Sequence, residues 1–208
     1  MKRSEALAIV GGLSKASKMP CDTYNLPAAE CKVGAVLRQR EGSVCHGCYA
    51  FKGRFGFDSV QRAAYRRLAT LRHPDWVDAM VTLIKGQAFF RWHASGDLQD
   101  VAHFANIVRV AERCPGTMFW LPTREAAIVQ AWGKAHGSLP RNLVVRVSAA
   151  MVDKAAPEIG FPTSTVRSRK ASPLPGAYVC PAPTQGNACG PCRACWDPTV
   201  ASVSYKKH

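Results

Sequence analysis

Cysteine is the residue type in this chain that most directly suggests chemistry, since nine cysteines occur among 208 residues and eight of them fall in two groups. The first group lies in the N-terminal quarter of the chain and consists of Cys21, Cys31, Cys45 and Cys48. The second lies near the C-terminus and consists of Cys180, Cys189, Cys192 and Cys195. The ninth, Cys114, ends a helical pattern and is expected to be a small core residue. This grouping favours ligation of a metal or cluster in a reducing compartment over a framework of disulfides.

The stretch SVCHGCYAFKG, residues 43–53, places Cys45 and Cys48 in a Cys-x-x-Cys turn. This spacing is typical of a redox disulfide, of half a zinc site or of part of an iron–sulfur site, because one tight turn aims both sulfurs at a common point. The C-terminal group contains a Cys-x-x-Cys-x-x-Cys run like that of small ferredoxins, which favours a [4Fe-4S] cluster there. Four thiolates also suit tetrahedral zinc, so both possibilities stay open for this group.

The chain carries a formal net charge of +14, from 28 Lys and Arg against 14 Asp and Glu. An excess of this size attracts polyanions, so nucleic acid or a phosphate-bearing substrate is the expected partner. The alternative is a set of basic faces that only keep the chain in solution. Basic residues are concentrated around the first cysteine group and in a short run nearer the C-terminus: Arg38, Arg40, Lys52, Arg54, Arg62, Arg66, Arg67 and Arg72, then RSRK at 167–170.

Strand-like and helix-like patterns alternate between the two cysteine groups. This alternation predicts parallel strands joined by right-handed crossovers, and hence an α/β fold with an open sheet or a partial barrel. The patterns predict helices at 59–71, 74–84, 100–114 and 124–135, and strands at 88–93, 117–122 and 142–148. Beyond Met151 the sequence becomes irregular, with two short strands expected near Thr165 and Tyr178.

The expected organisation has three parts: an N-terminal extension at 1–25, a partial β/α barrel with the first cysteine group at 26–150, and a C-terminal segment with a four-cysteine site at 151–208. The start, MKRSEALAIVGGLSKASK, has a basic head and a short apolar run, but Gly11 and Gly12 interrupt the run and no cleavage site follows. No window is long and apolar enough to span a bilayer. The sequence therefore predicts a cytoplasmic protein without a membrane partner.

Polar residues follow the three predicted strands at the point where each strand ends. In parallel α/β folds this carboxyl edge of the sheet is where active sites lie. Because side chains alternate along a strand, His93 is expected to share a face with Arg91 and Ser95 and to point toward a ligand. The alternative places Arg91 and Arg146 at a partly exposed sheet edge. The candidate site residues at the strand ends are His93, Ser95, Gly96, Asp97, Thr123, Arg124, Arg146 and Ser148.

Five stretches carry a resemblance to a known family: ECKVGAVLRQREGSVCHGCYAFKGRF, FRWHASGDLQD, MFWLPTRE, NLVVRVSAAMVD and the terminal CPAP…CGPCRACWD. They resemble the phage "gene product eighty-eight" family, small phage proteins that are similar to radical S-adenosylmethionine (SAM) enzymes. The likeness covers most of the chain from about Leu26 onward. It implies a partial, TIM-barrel-like β/α barrel of the radical SAM type, located in the host cytoplasm.

The resemblance also implies roles for particular residues. Cys31, Cys45 and Cys48 would bind three irons of a [4Fe-4S] cluster, and the open iron would chelate SAM. The SGD stretch from Ser95 to Asp97 would contact the SAM amino group, with the other strand-end residues completing the cofactor site. Tyr49 stands after the last cysteine, whereas the family's aromatic residue normally precedes it, where this chain has Gly47. An electron donor such as flavodoxin or ferredoxin is the implied redox partner.

The spacing of the first cysteine group departs from the commonest radical SAM pattern. The usual loop is Cys-x-x-x-Cys-x-x-Cys, whereas thirteen residues separate Cys31 from Cys45. A wider loop can still gather three thiolates, because doubling the length of a loop adds only about 0.6 kcal/mol to its closure. A fourth ligand at Cys21 would make this a closed structural site. Because the resemblance does not include Cys21, we expect that Cys21 does not bind the cluster.

The expected function is that of a radical SAM enzyme, which cleaves SAM reductively at its cluster. The basic surface and the phage resemblance suggest a nucleobase of DNA or RNA, or a nucleotide, as the substrate, as in hypermodification of phage DNA with deazaguanines. The alternative is a non-catalytic nucleic-acid-binding protein stabilised by zinc at both sites, against which the polar strand ends argue. A cluster enzyme that does not use SAM ranks third, because no residues suggest its substrate site.

Overall fold

Helices and strands alternate along the chain, as the apolar patterns predict. The computed structural model describes residues 1–207 and has a mixed α/β fold. Within this part of the chain, no helix has the length and apolar character needed to cross a membrane. The helices are α1 (Arg3–Val10), α2 (Lys32–Arg38), α3 (Asp58–Thr70), α4 (Trp76–Ile84), α5 (Val101–Arg113) and α6 (Ala126–His136). The strands are β1 (Ser14–Lys15), β2 (Asp22–Tyr24), β3 (Phe89–Trp92), β4 (Met118–Thr123), β5 (Leu143–Ser148), β6 (Thr163–Arg167), β7 (Tyr178–Val179) and β8 (Ser202–Lys206).

The eight strands form one sheet in the order β1-β2-β3-β4-β5-β6-β8-β7. β1 pairs antiparallel with β2, and every other neighbouring pair is parallel. The central pair, β4 and β5, runs in register from Phe119 opposite Leu143 to Thr123 opposite Val147. Because β2 to β5 are parallel, their carboxyl ends lie along one edge of the sheet. That edge is where the predicted strand-end residues meet.

The two faces of the sheet are covered differently. On one face, α1, α4, α5 and α6 enclose the main apolar core, in which Phe119 and Leu121 of β4 are fully buried. Trp120, between them, points to the opposite face and packs with Trp196 and Val203 of the C-terminal segment. Full burial of a large apolar side chain contributes about 1.5–3 kcal/mol, so both faces stabilise the sheet. Consequently the C-terminal segment belongs to the folded core of the protein.

The start of α5 fixes the loop that carries the residues after β3. The Asp100 carboxylate caps the helix by accepting the backbone N–H of His103 at 2.8 Å. Such a cap contributes about 1 kcal/mol. Phe104, Ile107 and Val108 recur at helical spacing and bury this side of α5 against the sheet. The cap and the burial of α5 therefore anchor the C-terminal end of the loop at 93–99.

The parallel α/β class and the predicted elements between 59 and 148 are confirmed, as are the short strands near Thr165 and Tyr178. The patterns did not predict α1, α2, β1, β2 or β8. β1 and β2 are two and three residues long, too short for a periodic signal. In α1, Ala6 and Val10 are fully buried in the helix-covered core, so the N-terminal residues pack as part of the fold.

Candidate functional site

Three cysteines gather at the carboxyl edge of the sheet. We call them the N-terminal thiol group: Cys31, Cys45 and Cys48. The loop after β2, which leads to Cys31, is docked on the loop after β3. The Leu26 N–H donates to the Ser95 carbonyl at 3.0 Å, and the Ser95 hydroxyl donates to the Leu26 carbonyl at 3.0 Å. Gly96 is required by this close approach, since its φ is +78° and a Cβ atom there would lie 2.5 Å from the Leu26 Cβ.

The Cys45–Cys48 turn is docked on residues that follow β5 and β3. The Val44 N–H donates to the Ala150 carbonyl at 2.9 Å, and the Val152 N–H donates to the Gly42 carbonyl at 3.0 Å. The Tyr49 hydroxyl donates to the Ala94 carbonyl at 2.5 Å, directly after β3. These bonds bring the turn to the strand ends despite its distance from Cys31 in the sequence.

Gly34 lies against two of these thiols. The position that a Cβ atom would take at residue 34 is 3.7 Å from the Cys31 sulfur and 3.8 Å from the Cys45 sulfur. The same position is only 2.8 Å from the Cys31 Cβ, so any side chain would displace Cys31. Both sulfurs therefore border one small space in the first turn of α2.

The Asp97 carboxylate joins the ends of β3 and β4. It accepts the Thr123 hydroxyl at 2.5 Å and the backbone N–H groups of Arg124 at 2.9 Å and Leu98 at 2.8 Å. Burial raises the pKa of Asp97 to about 6, while these three hydrogen bonds oppose the shift. A carboxylate offers about four acceptor positions, so the three donors leave about one for a ligand.

Glu125, the next residue but one after Thr123, fixes the start of α2. Its carboxylate accepts the Val33 backbone N–H at 2.8 Å. Cys31 is the N-cap residue of the same helix. Glu125 therefore positions Cys31 with respect to the end of β4. Sequence reasoning missed both Glu125 and Gly34. Glu125 directly follows the predicted site residues Thr123 and Arg124, and Gly34 lies three residues after Cys31, a predicted cluster ligand.

The three thiols share one electrostatic environment. Burial raises the pKa of Cys31 to about 12, and the charges of Asp97, Cys45 and Cys48 raise it further. Burial also raises the pKa of Cys45, while the nearby Arg124 charge opposes this shift. Cys31 and Cys45 are thus protonated at neutral pH, and binding of a metal would release their protons because the thiolate is the ligand.

The donor chemistry of the N-terminal thiol group fits an iron–sulfur cluster. In residues 1–207, no three or more Cys, His, Asp or Glu side chains are arranged to hold a single metal ion. A [4Fe-4S] cluster does not require its thiolates to converge on one point, because each binds its own iron. Cys31 and Cys45 border a shared space beside Gly34, and the charge of Cys48 acts on both, which meets that looser requirement.

His93 lies apart from the N-terminal thiol group. β3 ends at Trp92, and His93 has a left-handed φ of +54°, which interrupts the alternation that would place it beside Arg91. Its ring instead lies 5.4 Å from the ring of His103 in α5. Neither ring nitrogen of His93 has a hydrogen-bond partner in the described chain. The face predicted for Arg91, His93 and Ser95 together is therefore not continuous.

The second cysteine group lies on the sheet face opposite the helices. We call it the C-terminal thiol group: Cys180, Cys189, Cys192 and Cys195. Cys195 is buried with Trp120 and Trp196, and Cys180 packs against the same small core. The Cys195 sulfur lies 3.0 Å from the Tyr205 hydroxyl, and burial raises its pKa to about 11. The two thiol groups thus occupy different places on the sheet.

Arg146 and Ser148 also differ in position from the other strand-end residues. The fully buried Arg146 guanidinium donates to five backbone carbonyls, four of them between residues 194 and 200. Its bonds to Ala194 and Val200 measure 2.7 and 2.8 Å. The Ser148 hydroxyl accepts that of Ser164 at 3.0 Å. Arg146 therefore holds the C-terminal segment on the sheet, away from the N-terminal thiol group.

Comparison with known proteins identifies one family over nearly the whole chain. The family model described as Gene product 88 matches residues 2–198, a range that contains both thiol groups and all the strand-end residues described above. No curated protein and no solved structure matches the chain.

Proposed function

This chain belongs to the Gene product 88 family, and from the geometry of its N-terminal thiol group we propose that it is an iron–sulfur enzyme of the radical SAM type. In this proposal the sheet is a partial barrel, and Cys31, Cys45 and Cys48 hold a [4Fe-4S] cluster beside bound SAM. A flavodoxin or ferredoxin reduces the cluster by one electron, and the enzyme works in the cytoplasm of the cell that the phage infects. The substrate is a nucleobase.

One observation carries the proposal: cysteines from two separate turns meet at the carboxyl edge of a parallel sheet. The loop after β2 and the loop after β5 both hold this arrangement in place through backbone hydrogen bonds. Three thiols leave one iron of a four-iron cluster without a protein ligand, which is the position that a chelating cofactor requires. Cys21 lies with the C-terminal thiol group, so it does not close that position.

A cluster held by Cys31, Cys45 and Cys48 would supply the reductive cleavage of bound SAM. The residues of the chain position and neutralise these groups. Arg124 adds a positive charge near Cys45 that offsets thiolate charge. Asp97 has about one acceptor position left, which suits the amino group of SAM. Ser95 and Gly96 act through the backbone, by holding the loop that leads to Cys31.

The segment after Cys48 favours nucleic acid as the substrate. We call residues 49–57 the aromatic–basic segment; no Asp or Glu occurs between Glu41 and Asp58. Phe51 and Phe57 expose 44% and 60% of their surfaces, and the Arg38 guanidinium lies 4.5 Å from the Phe51 ring. Exposed rings on which bases stack, next to cations that contact phosphates, are typical of sites for single-stranded nucleic acid.

One member of the predicted basic cluster is not available for binding. Arg67 is only 5% exposed, and it donates to the carbonyls of Gly12 at 2.8 Å and Asn25 at 3.4 Å. It therefore joins the N-terminal turn to α3. The exposed cations of the aromatic–basic segment are Lys52 and Arg54.

Anaerobic purification followed by iron, sulfide and zinc analysis tests the proposal. We expect a brown protein that forms 5'-deoxyadenosine from SAM when dithionite is supplied. Cys45→Ala should abolish this cleavage. Cys114→Ala is the matched control, because it removes a buried thiol from the helix-covered core and should leave cleavage intact.

A colourless protein with stoichiometric zinc at both thiol groups after cluster reconstitution would contradict the proposal. That result would instead support a zinc-stabilised nucleic-acid-binding protein without catalysis. Iron at the N-terminal thiol group without 5'-deoxyadenosine formation, in the presence of dithionite and each nucleic acid tried, would support a cluster protein that does not use SAM.

A further inference from the structure

Cys21 lies at the C-terminal thiol group, far along the sequence from its four members. It packs against the small core that contains Cys195 and Trp120, as Cys180 does. A backbone hydrogen bond of 2.9 Å joins the Cys189 N–H to the Lys18 carbonyl, three residues before Cys21. Residues from both ends of the chain therefore bring five thiols to one face of the sheet.

Two cations, Arg91 and Arg193, act on thiols from both ends of the chain, and Arg91 has the larger effect on each. The Arg91 guanidinium lies 4.2 Å from the centre of the Trp120 ring, and one of its nitrogens donates to the Met19 sulfur at 3.2 Å. Burial raises the pKa of Cys21 to about 12 and also raises that of Cys189, and the Arg91 charge opposes both shifts. A positive charge at this place would offset the negative charge of several thiolates bound to a metal.

Two buried N–H donors on this face have no partner in residues 1–207: Arg91 Nε and Trp120 Nε1. Such unsatisfied groups are rare in native proteins, because each costs about 1–3 kcal/mol. Sulfur atoms of a metal-bound group accept hydrogen bonds of this kind. The two donors are therefore free to bond an acceptor placed next to the five thiols.

We propose that Cys21 is a ligand of a metal group held together with the C-terminal thiol group, at a site separate from the cluster of the proposed function. The group is a thiolate-bound iron–sulfur cluster, because no three Cys, His, Asp or Glu side chains in residues 1–207 are arranged to hold a single ion such as zinc. Each ligating thiol releases its proton to solvent as the metal binds. The metal would then join the turn before β2 to the C-terminal segment, so both chain ends would depend on it for order.

The variant test uses a protein in which Cys31, Cys45 and Cys48 are all changed to Ala, so that only the C-terminal site can bind metal. Iron, sulfide and zinc are measured per chain after anaerobic reconstitution. We expect Cys21→Ser to lower the metal content as much as Cys189→Ser does. Cys114→Ser is the control, since it removes a buried thiol from the opposite face, and it should retain the metal.

A second measurement uses the unaltered chain and does not depend on a variant that folds. The protein is alkylated with iodoacetamide in its metal-loaded form and after removal of metal by a chelator, and each cysteine is assigned by mass spectrometry. We expect Cys21 to become reactive on metal removal together with Cys189. Equal alkylation of Cys21 in both forms, or unchanged metal content in Cys21→Ser, overturns the inference.

The two proposals fail separately. If the variant without Cys31, Cys45 and Cys48 holds neither iron nor zinc, the proposed metal site at the C-terminal thiol group and the role of Cys21 are refuted. SAM cleavage by the unaltered protein would still support the proposed enzyme. Conversely, metal that depends on Cys21 in that variant, together with no SAM cleavage by the unaltered protein, upholds the inference and refutes the proposed enzyme.

Discussion

The Glu125 carboxylate accepts the backbone N–H of Val33 at 2.8 Å, which ties the end of β4 to the first turn of α2. Amides in the first turn of a helix have no partner within the helix, so an outside acceptor is required when they are buried. Glu125 is only 5% exposed. This bond sets the position of Cys31 relative to the strand-end residues.

Replacing Glu125 with Ala should release the start of α2 and lower iron occupancy of the N-terminal thiol group. Loss of the acceptor should cost about 1–2 kcal/mol in the free energy of unfolding. Glu125→Gln keeps a carbonyl oxygen at this place and should retain most of the iron. Iron analysis and urea unfolding compare the two variants; equal iron loss in both would show that the carboxylate charge matters more than the hydrogen bond.

Gly34→Ala should disrupt the N-terminal thiol group, because the new methyl group would lie 2.8 Å from the Cys31 Cβ. Gly133→Ala in α6 is the matched control, since a Cβ there meets nothing within 4 Å and should stabilise the helix by about 0.5–1 kcal/mol. Visible absorbance per chain and thermal unfolding report the two effects. Retention of full absorbance in Gly34→Ala would contradict the position assigned to Cys31.

Arg146→Met should detach the C-terminal segment from the sheet. Five carbonyls would lose their donor, and we expect the free energy of unfolding to fall by more than about 3 kcal/mol. Limited proteolysis should then cleave the chain near residues 194–200. If the variant instead kept its stability and lost only SAM binding, the cofactor role predicted for Arg146 would be restored.

Neutralising Lys52 and Arg54 together with Gln should weaken binding to single-stranded nucleic acid and flatten its salt dependence. Each phosphate contact contributes about −0.7 to the slope of log affinity against log salt, so the slope should change by about 1.4. The double change Arg109→Gln and Lys134→Gln, which removes the same charge from exposed positions on α5 and α6, is the control. Equal slopes for the two double variants would refute the aromatic–basic segment as the contact surface.

Acid should destabilise the protein through His103. Burial lowers the pKa of His103 to about 4; the Asp100 charge opposes this shift and the Arg72 charge adds to it. Its unfolded pKa is about 6.5, so between these values the unfolded chain binds a proton that the folded chain does not. The free energy of unfolding should therefore fall by roughly 3 kcal/mol between pH 6.5 and 4. His103→Gln should show a flatter dependence in denaturant unfolding; an unchanged pH profile would contradict the shift.

Local patterns were sufficient to predict the alternating helices and strands between residues 59 and 148. The apolar spacing of α5 and the runs that became β4 and β5 each depend on residues close together in the sequence. Helices and strands can be predicted in this way because their backbone geometry repeats with a fixed period. The Cys-x-x-Cys turn can be predicted because it is a property of four adjacent residues.

The partners of the site residues depended on contacts between segments that are distant in the sequence. Periodic patterns of apolar residues do not predict such contacts. Sequence reasoning grouped Cys21 with its nearest cysteines, yet the hydrogen bond from Cys189 to Lys18 joins its turn to the C-terminal segment, on the face that this segment covers. It treated Arg146 as a strand-end cation, whereas the segment at 194–200, which leads into β8, supplies four of the five carbonyls that the buried guanidinium bonds. The residue types and their alternation were thus readable from the sequence, while the choice of partners was made by tertiary packing, because each buried polar group must be satisfied by whatever the folded chain brings next to it.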